Sequence, residues 1–400
     1  MRLLIENCRL VCNGNEVVRN ILIKNGKIKR ITADEIKCEE TIDAGGNYVL
    51  PGIIDPHVHF REPGLTHKED LFTGSVAAAA GGITTFLDMP NTKPPTTTAR
   101  LLKEKKSRAE KSIVNYGFHF GAAVDNLAEI PKVSRKAAST KLFMNLSTGK
   151  MMIEDRHLIE QIFEASKIVA VHAEKEKVAE AVAYSKKTKT PLYLCHISLK
   201  DEIDFLRKAK NERIFVEVTP HHLFLTEKDF KKKKGFADMK PSLKKQEDVD
   251  ALWDAIDDGI VDTMGTDHAP HTKEEKRKKD YPSGVPGCET ALPLMLDAVN
   301  KGRISLTQVA RLMSTNPARI FRIKNKGMIK EGYDADLVIV DINKRKKVIG
   351  KKLYTKCKWS PFEGKILKGW PVITIRGGEV IFDDTGFYDI KAKGVVFDGK

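Results

Sequence analysis

Eight short apolar, β-branched runs recur along the middle of the chain, at 53–60, 84–89, 115–122, 140–145, 168–173, 191–197, 214–219 and 261–266. The intervals between them, such as 99–113, 155–166, 175–188 and 199–211, carry helix-forming residues with apolar positions at helical spacing. Strands that alternate with helices build parallel sheets, and eight such units close into a (β/α)₈ TIM-like barrel. Gly81-Gly82, ahead of the second strand, and Gly117, inside the third, mark places where backbones approach closely.

The two ends read differently. Leu3-Leu4-Ile5, Arg9-Leu10-Val11, Asn20-Ile21-Leu22-Ile23 and Lys27-Ile28 are short strand patterns separated by Asn13-Gly14-Asn15 and Asn25-Gly26. Asn-Gly between strand patterns is a strong hairpin signal. The last sixty or so residues repeat this habit, with Asp336 to Val340, Val372 to Arg376, Gly377-Gly378 and Glu379 to Phe382. An α/β chain is therefore expected, its barrel spanning 51–336 and a small β-sandwich assembled from 1–50 and 337–400. No repeat, linker or low-complexity tract interrupts it.

Composition narrows the function. The chain has 400 residues, with 69 Lys+Arg against 54 Asp+Glu and a formal net charge of +15. A surplus of that size raises nucleic-acid binding, which depends on clustered cations that neutralise phosphates. The basic runs 231–234, 273–279 and 344–347 instead lie between apolar segments, with no aromatic interleaving and no zinc-finger spacing, as solvated surface does. No uninterrupted apolar stretch suits a membrane helix, and the N-terminus meets Glu6 and Asn7 before a signal-peptide core could form. The six cysteines show no CxxC pair, as expected of reduced thiols in a cytoplasmic protein. Neither a nucleic-acid nor a membrane partner is expected.

Barrel enzymes work at the carboxyl ends of their strands, so those ends should carry the chemistry. The first ends in Asp55-Pro56-His57-Val58-His59-Phe60-Arg61, with two imidazoles two residues apart and facing one side. The fifth ends in His172, the sixth in Cys195-His196 and the eighth in Asp267-His268-Ala269-Pro270-His271. A single histidine is commonly a core residue. Four at strand ends, beside an aspartate, point to metal. Cys195 alternates away from His196 and is read as packing. Four neutral imidazoles and one carboxylate carry too little negative charge to hold two divalent cations close together. The fourth strand offers Lys141, whose neutral amine could react with carbon dioxide to give a bridging carbamate. An inward strand-end lysine more often pairs with a carboxylate, and spacing alone leaves both readings open.

These residues together resemble the cyclic amidohydrolase superfamily and, within it, the dihydroorotases, above all the dihydroorotase domain of the multifunctional pyrimidine-synthesis protein. The resemblance runs from Leu50-Pro51-Gly52 to Phe362-Glu363-Gly364 and rests on His57-Val58-His59-Phe60-Arg61-Glu62-Pro63-Gly64, Asp88-Met89-Pro90-Asn91-Thr92, Lys141 to Asn145, Pro220-His221-His222-Leu223 and Thr266 to His271. HxH alone says metal-dependent hydrolase; HxHxR followed by MPNT is far more specific. The resemblance implies two divalent metal ions, with zinc expected. His57 and His59 would hold one ion and His172 and His196 the other. Carboxylated Lys141 and a water or hydroxide would bridge them, and Asp267 would ligate the first ion and act as the catalytic acid/base. It further implies that Arg61, Asn91 and His271 bind a substrate carboxylate and that backbone near Pro286 and Gly287 meets the ring. Glu217 matches a position tied to an extra metal in some relatives.

The implied activity is the reversible cyclisation of N-carbamoyl-L-aspartate to L-dihydroorotate in pyrimidine biosynthesis, with a homo-oligomer or a transcarbamoylase as conceivable company. Two other readings share the motifs: another cyclic amidase (hydantoinase, dihydropyrimidinase or allantoinase) and a non-catalytic scaffold. Arg61 and Asn91 favour a carboxylate-bearing substrate, and the filled ligand positions oppose the scaffold. In place of the resembled domain's Thr-Phe lid pair stand Ser147 and Thr148.

Overall fold

The computed structural model describes residues 2–12, 15–146 and 151–397. Eight parallel strands form its centre: β1 Ile53–Val58, β2 Ile83–Asp88, β3 Asn115–Phe118, β4 Thr140–Phe143, β5 Val169–His172, β6 Leu192–Leu194, β7 Ile214–Val218 and β8 Thr263–Met264. β3 resumes after His119 as Phe120–Gly121; the first piece pairs with β2 and the second with β4. From β4 to β8 each strand pairs with the next. The ring closes where Val58 bridges His268 and the His59 N–H donates to the His268 carbonyl at 2.8 Å. Every residue of β1, β2, β4 and β5 is buried. Strands covered by helices outside and side chains inside have no polar face to show, which explains their near-continuous apolar runs.

Most strands are shorter than the apolar runs that announce them, and the residues left over at their carboxyl ends belong to loops that reach into the mouth of the barrel. The helices match their patterns, including Ala99–Arg108, Arg156–Ala165, Glu176–Thr188 and Lys200–Ala209. Asp155 starts the second of these by accepting from the His157 and Leu158 N–H groups, the usual duty of an aspartate at that position. Among the described residues no helix is long and apolar enough to cross a membrane. The far end of the barrel is shut by Phe321, whose ring centroid lies 4.8 Å from that of Tyr193 and 5.5 Å from that of His119. A side chain at Gly81 would stand 2.1 Å from the Cys288 carbonyl, so this residue is small because a helix crosses it.

Among the described residues, both ends of the chain contribute to one nine-stranded sheet. Its junction is Tyr48–Pro51, which lies antiparallel to Leu337–Lys347 with Leu50 opposite Val338. Leu3, Ile5, Leu10, Ile21 and Ile23 share a core with Leu337, Ile339 and Ile375, so neither end could bury its apolar face alone. Asn25 and Gly26 turn at φ 52° and 75°, the left-handed pair that an Asn-Gly hairpin requires. The companion Asn13-Gly14 turn lies outside the described residues.

One excursion matters for function. Between Leu337–Lys347 and Ile366–Arg376 the chain leaves the sheet and runs over the barrel. There the Thr355 N–H donates to Glu289 at 2.9 Å, the Lys356 N–H to Glu69 at 3.1 Å, and the Trp359 indole to the His271 carbonyl at 2.7 Å. The terminal sheet thus holds one wall of the barrel mouth.

Candidate active site

The end of β1 delivers His57 and then His59 to the barrel mouth, where both meet Asp267 from the loop after β8. Asp267 Oδ1 lies 2.9 Å from His59 Nε2 and 3.4 Å from His57 Nε2. Ligand atoms of these three buried residues all fall within 4.8 Å of one another, close enough to hold a metal ion. Beside them, His172 Nδ1 and His196 Nε2 are 2.8 Å apart, and the His57 and His196 rings are separated by 5.4 Å. Among the described residues, His196 Nδ1 is buried without any hydrogen-bond partner, and His172 Nε2 has only Glu174 Oε1, 3.5 Å away. Unsatisfied buried imidazole nitrogens are costly, and a divalent cation is the partner this donor set suits. The residues therefore fit metal.

Lys141 on β4 is fully buried. Its Nζ lies 2.9 Å from Cys195 Sγ and 5.1 Å from the centre of the Phe143 ring. Among the described residues it has no carboxylate to pair with, so the ordinary fate of an inward strand-end lysine does not apply here.

Cys195 packs in a buried apolar cluster with Ile54, Leu87, Ala170 and Tyr193, as expected, but it also faces the site. β6 ends at Leu194, and His196 adopts φ 40°, so the period of two stops at His196. Cys195 faces inward in phase with Tyr193, and the turn at His196 brings that side chain inward as well. Cys195 forms a second group able to hold a metal, with His57 and Glu217. Glu217 accepts from Tyr193 Oη at 2.8 Å and the His196 N–H at 2.9 Å, and approaches His57 Nδ1 at 2.8 Å. A Cβ on Gly265 would stand 2.3 Å from Glu217, so only glycine leaves room for this carboxylate.

Electrostatics divides the histidines. Burial opposes a charge on His57, but Glu217 and then Asp267 outweigh it and hold the imidazole well above its ordinary range. Burial wins at His59 and His196, which are pushed down. Burial also works against ionising Asp267, yet the adjacent His57 and His59 hold its carboxyl well below the usual carboxylate range. Asp267 is thus an anion facing the mouth. It sits at φ 46° and Arg61 at φ 66°; non-glycine residues tolerate the left-handed region where the surroundings impose it, commonly at functional sites.

Arg61, Asn91, Asp267 and His59 line a small cleft together with Lys240, Ala269, Ser283 and Gly284. Asn91 Oδ1 lies 2.7 Å from His59 Nδ1. Arg61 donates Nε to the Pro270 carbonyl at 3.1 Å and brings Nη2 to 3.1 Å from His271 Nε2. Burial lowers the guanidinium to about 10, which leaves it cationic at neutral pH. The Gly287 N–H donates to His268 Nδ1 at 3.1 Å, and Ala269, Ser283 and Gly284 form a wall of the cleft. Lys240 had no sequence signal beyond its place in a loop after β7. Ser147 and Thr148 lie outside the described residues.

A buried ion pair props up this arrangement. Lys105 Nζ meets Asp88 Oδ2 at 2.5 Å and donates to the Met89 carbonyl at 2.8 Å, while Asp88 Oδ1 accepts from the Phe60 N–H at 2.6 Å. It ties the HxHxR loop to the MPN loop. Lys105→Met should cost roughly 3–5 kcal/mol, because it strands a buried carboxylate; the midpoint of denaturant unfolding reads the loss.

Comparison with known proteins agrees with this geometry. The model of the amidohydrolase family matches residues 48–381. A dihydroorotase of Methanosphaera stadtmanae is 36% identical, the alignment covering 98% of this chain and 99% of that protein. The multifunctional protein CAD of Squalus acanthias is 37% identical over 89% of this chain and 16% of its own length. Among solved structures, the L-hydantoinase (dihydropyrimidinase) from Arthrobacter aurescens superposes with a TM-score of 0.94 at 30% identity, covering 98% of this chain and 99% of that one. A barrel with a metal-binding mouth, matched from end to end by such relatives, leaves one assignment: the chain belongs to the amidohydrolase family, in its dihydroorotase branch.

Proposed function

We propose that this protein interconverts N-carbamoyl-L-aspartate and L-dihydroorotate. The observation that carries the reading is the cleft in which Arg61, Asn91 and Lys240 surround a small space beside ionised Asp267. A planar guanidinium suits a carboxylate because its fork donates two parallel hydrogen bonds. A cyclic amide without that carboxylate would leave a buried cation unanswered.

His57, His59 and Asp267 would hold one divalent ion, His172 and His196 the second, and carboxylated Lys141 would bridge them, zinc being the ion that imidazole and carboxylate donors suit. Bound there, two cations would polarise the scissile carbonyl and lower the pKa of the attacking water. Asp267 takes the proton from that water and delivers it to the departing ring nitrogen. In the cyclising direction it removes a proton from the carbamoyl nitrogen and the same path runs backwards. Arg61 and Asn91 keep the remaining carboxylate fixed so that the reacting carbonyl stays beside Asp267.

Turnover of dihydroorotate, hydantoin and allantoin by the purified protein tests the substrate. Dihydroorotate should be turned over fastest; faster hydrolysis of either of the others would sink the assignment. Metal analysis after gel filtration should find about two equivalents of tightly bound zinc, since the proposed donors are buried. Less than about one equivalent, with no activity restored by added zinc, would overturn the metal reading.

A further inference from the structure

His271 stands between two cations. Its Nδ1 lies 2.9 Å from Lys68 Nζ, while its Nε2 lies 3.1 Å from Arg61 Nη2 and 2.9 Å from the Ser283 carbonyl. Burial first, and then Arg61 and Lys68, push this imidazole far below its ordinary range, so it is neutral. A neutral imidazole has one nitrogen that donates and one that accepts. An ammonium only donates, so Nδ1 facing Lys68 must be the acceptor and the proton must sit on Nε2. That proton reaches the Ser283 carbonyl. It also means that His271 Nε2, its proton engaged by the Ser283 carbonyl, cannot accept from Arg61 Nη2, 3.1 Å away.

We propose that Lys68 is a positioning residue that fixes the Nε2–H tautomer of His271 and so keeps Arg61 Nη2 turned toward the carboxylate of the substrate rather than taken up by that imidazole. The identity of that carboxylate rests on the dihydroorotase reading; the tautomer does not. Lys68 is itself held in place by Glu275, with Nζ 3.0 Å from Oε1, and its side chain is only 11% exposed. Without the ammonium, His271 could carry its proton on Nδ1, where Glu275 Oε2 lies 3.7 Å away, and accept from Arg61 through Nε2, which would take that donor from the substrate. The backbone supports the same orientation, since the Trp359 indole holds the His271 carbonyl at 2.7 Å. The strand ends that carry the ligands do not reveal Lys68, which lies in the loop after β1 and looks like one more surface cation in the sequence.

Long-range ¹H–¹⁵N spectra of histidine-labelled protein decide the matter, the His271 signals being identified by their absence in His271→Gln. The wild type should show pyrrole-type Nε2 and pyridine-type Nδ1. Lys68→Met should shift His271 toward the Nδ1–H form and raise KM for dihydroorotate about tenfold, the value of one hydrogen bond to a charged group, with kcat changed far less. Lys68→Arg, which still donates, should restore both. An Nδ1–H tautomer in the wild type, or an unchanged tautomer and KM in Lys68→Met, overturns the proposal. If Lys68→Met does not fold, the wild-type spectrum and Lys68→Arg still decide it. If the tautomer moves as expected but the wild type does not turn over dihydroorotate, the substrate assignment fails and the role of Lys68 stands.

Discussion

Asp267→Asn should lower kcat by roughly 10²–10⁴-fold, the usual worth of a positioned general acid/base, while leaving the zinc content and the fold unchanged. Asparagine has nearly the same shape and keeps an oxygen near His59 Nε2, from which Asp267 Oδ1 lies 2.9 Å away. It cannot take up or release a proton at neutral pH. The carboxylate is suited to the task because His57 and His59 keep it ionised against the cost of burial. If protonation of Asp267 alone limited the rate, hydrolysis would hold its value through neutral pH and fall only in acid. Stopped assays of kcat against pH, on both proteins and with metal measured in the same samples, supply the check. An Asp267→Asn enzyme with a wild-type rate would remove Asp267 from the chemistry.

The second large effect belongs to Lys141. Lys141→Ala should cost several kcal/mol of transition-state stabilisation, on the order of a thousandfold or more in turnover. The argument starts from burial. An ammonium taken out of water needs a counter-charge, and among the described residues Lys141 has only the Cys195 thiol at 2.9 Å and the face of Phe143. Conversion to a carbamate removes that problem, because the group becomes an anion among imidazoles. Acetate or propionate added to Lys141→Ala should then restore part of the activity by occupying the vacated space. Full activity in Lys141→Ala without added acid would refute the bridging role, and a lack of rescue together with an unmodified lysine by intact-protein mass measurement would refute the carbamate.

Much of the barrel was legible because its strands are buried on both faces, and burial writes itself into sequence as uninterrupted apolar runs. The histidines at the barrel mouth were legible for a related reason: they follow the runs at the ends where barrel enzymes work. What escaped was everything set by irregular backbone. At His196 the alternation rule stops where the strand stops, and a positive φ turns its side chain inward beside Cys195, which keeps the phase of Tyr193. Lys68, Lys240 and the wall formed by Ser283 and Gly284 sit on loops, which bring distant residues together by tertiary contact and leave no period behind. The +15 charge shows the same limit from the other side. Most of it is solvated surface, while the cations near the site are a few buried residues that composition cannot distinguish.

The junction of Tyr48–Pro51 with Leu337–Lys347 has a consequence for how the enzyme is born. A chain still on the ribosome can complete the eight barrel strands, since the last of them ends at Met264. It cannot yet place Trp359 against the His271 loop, and its first strands must wait, apolar face uncovered, for partners made hundreds of residues later. Catalytic competence should therefore switch on late and abruptly in translation. Stalled nascent chains that end shortly before Trp359 would bind metal without turning over substrate, and would be the species most dependent on chaperones.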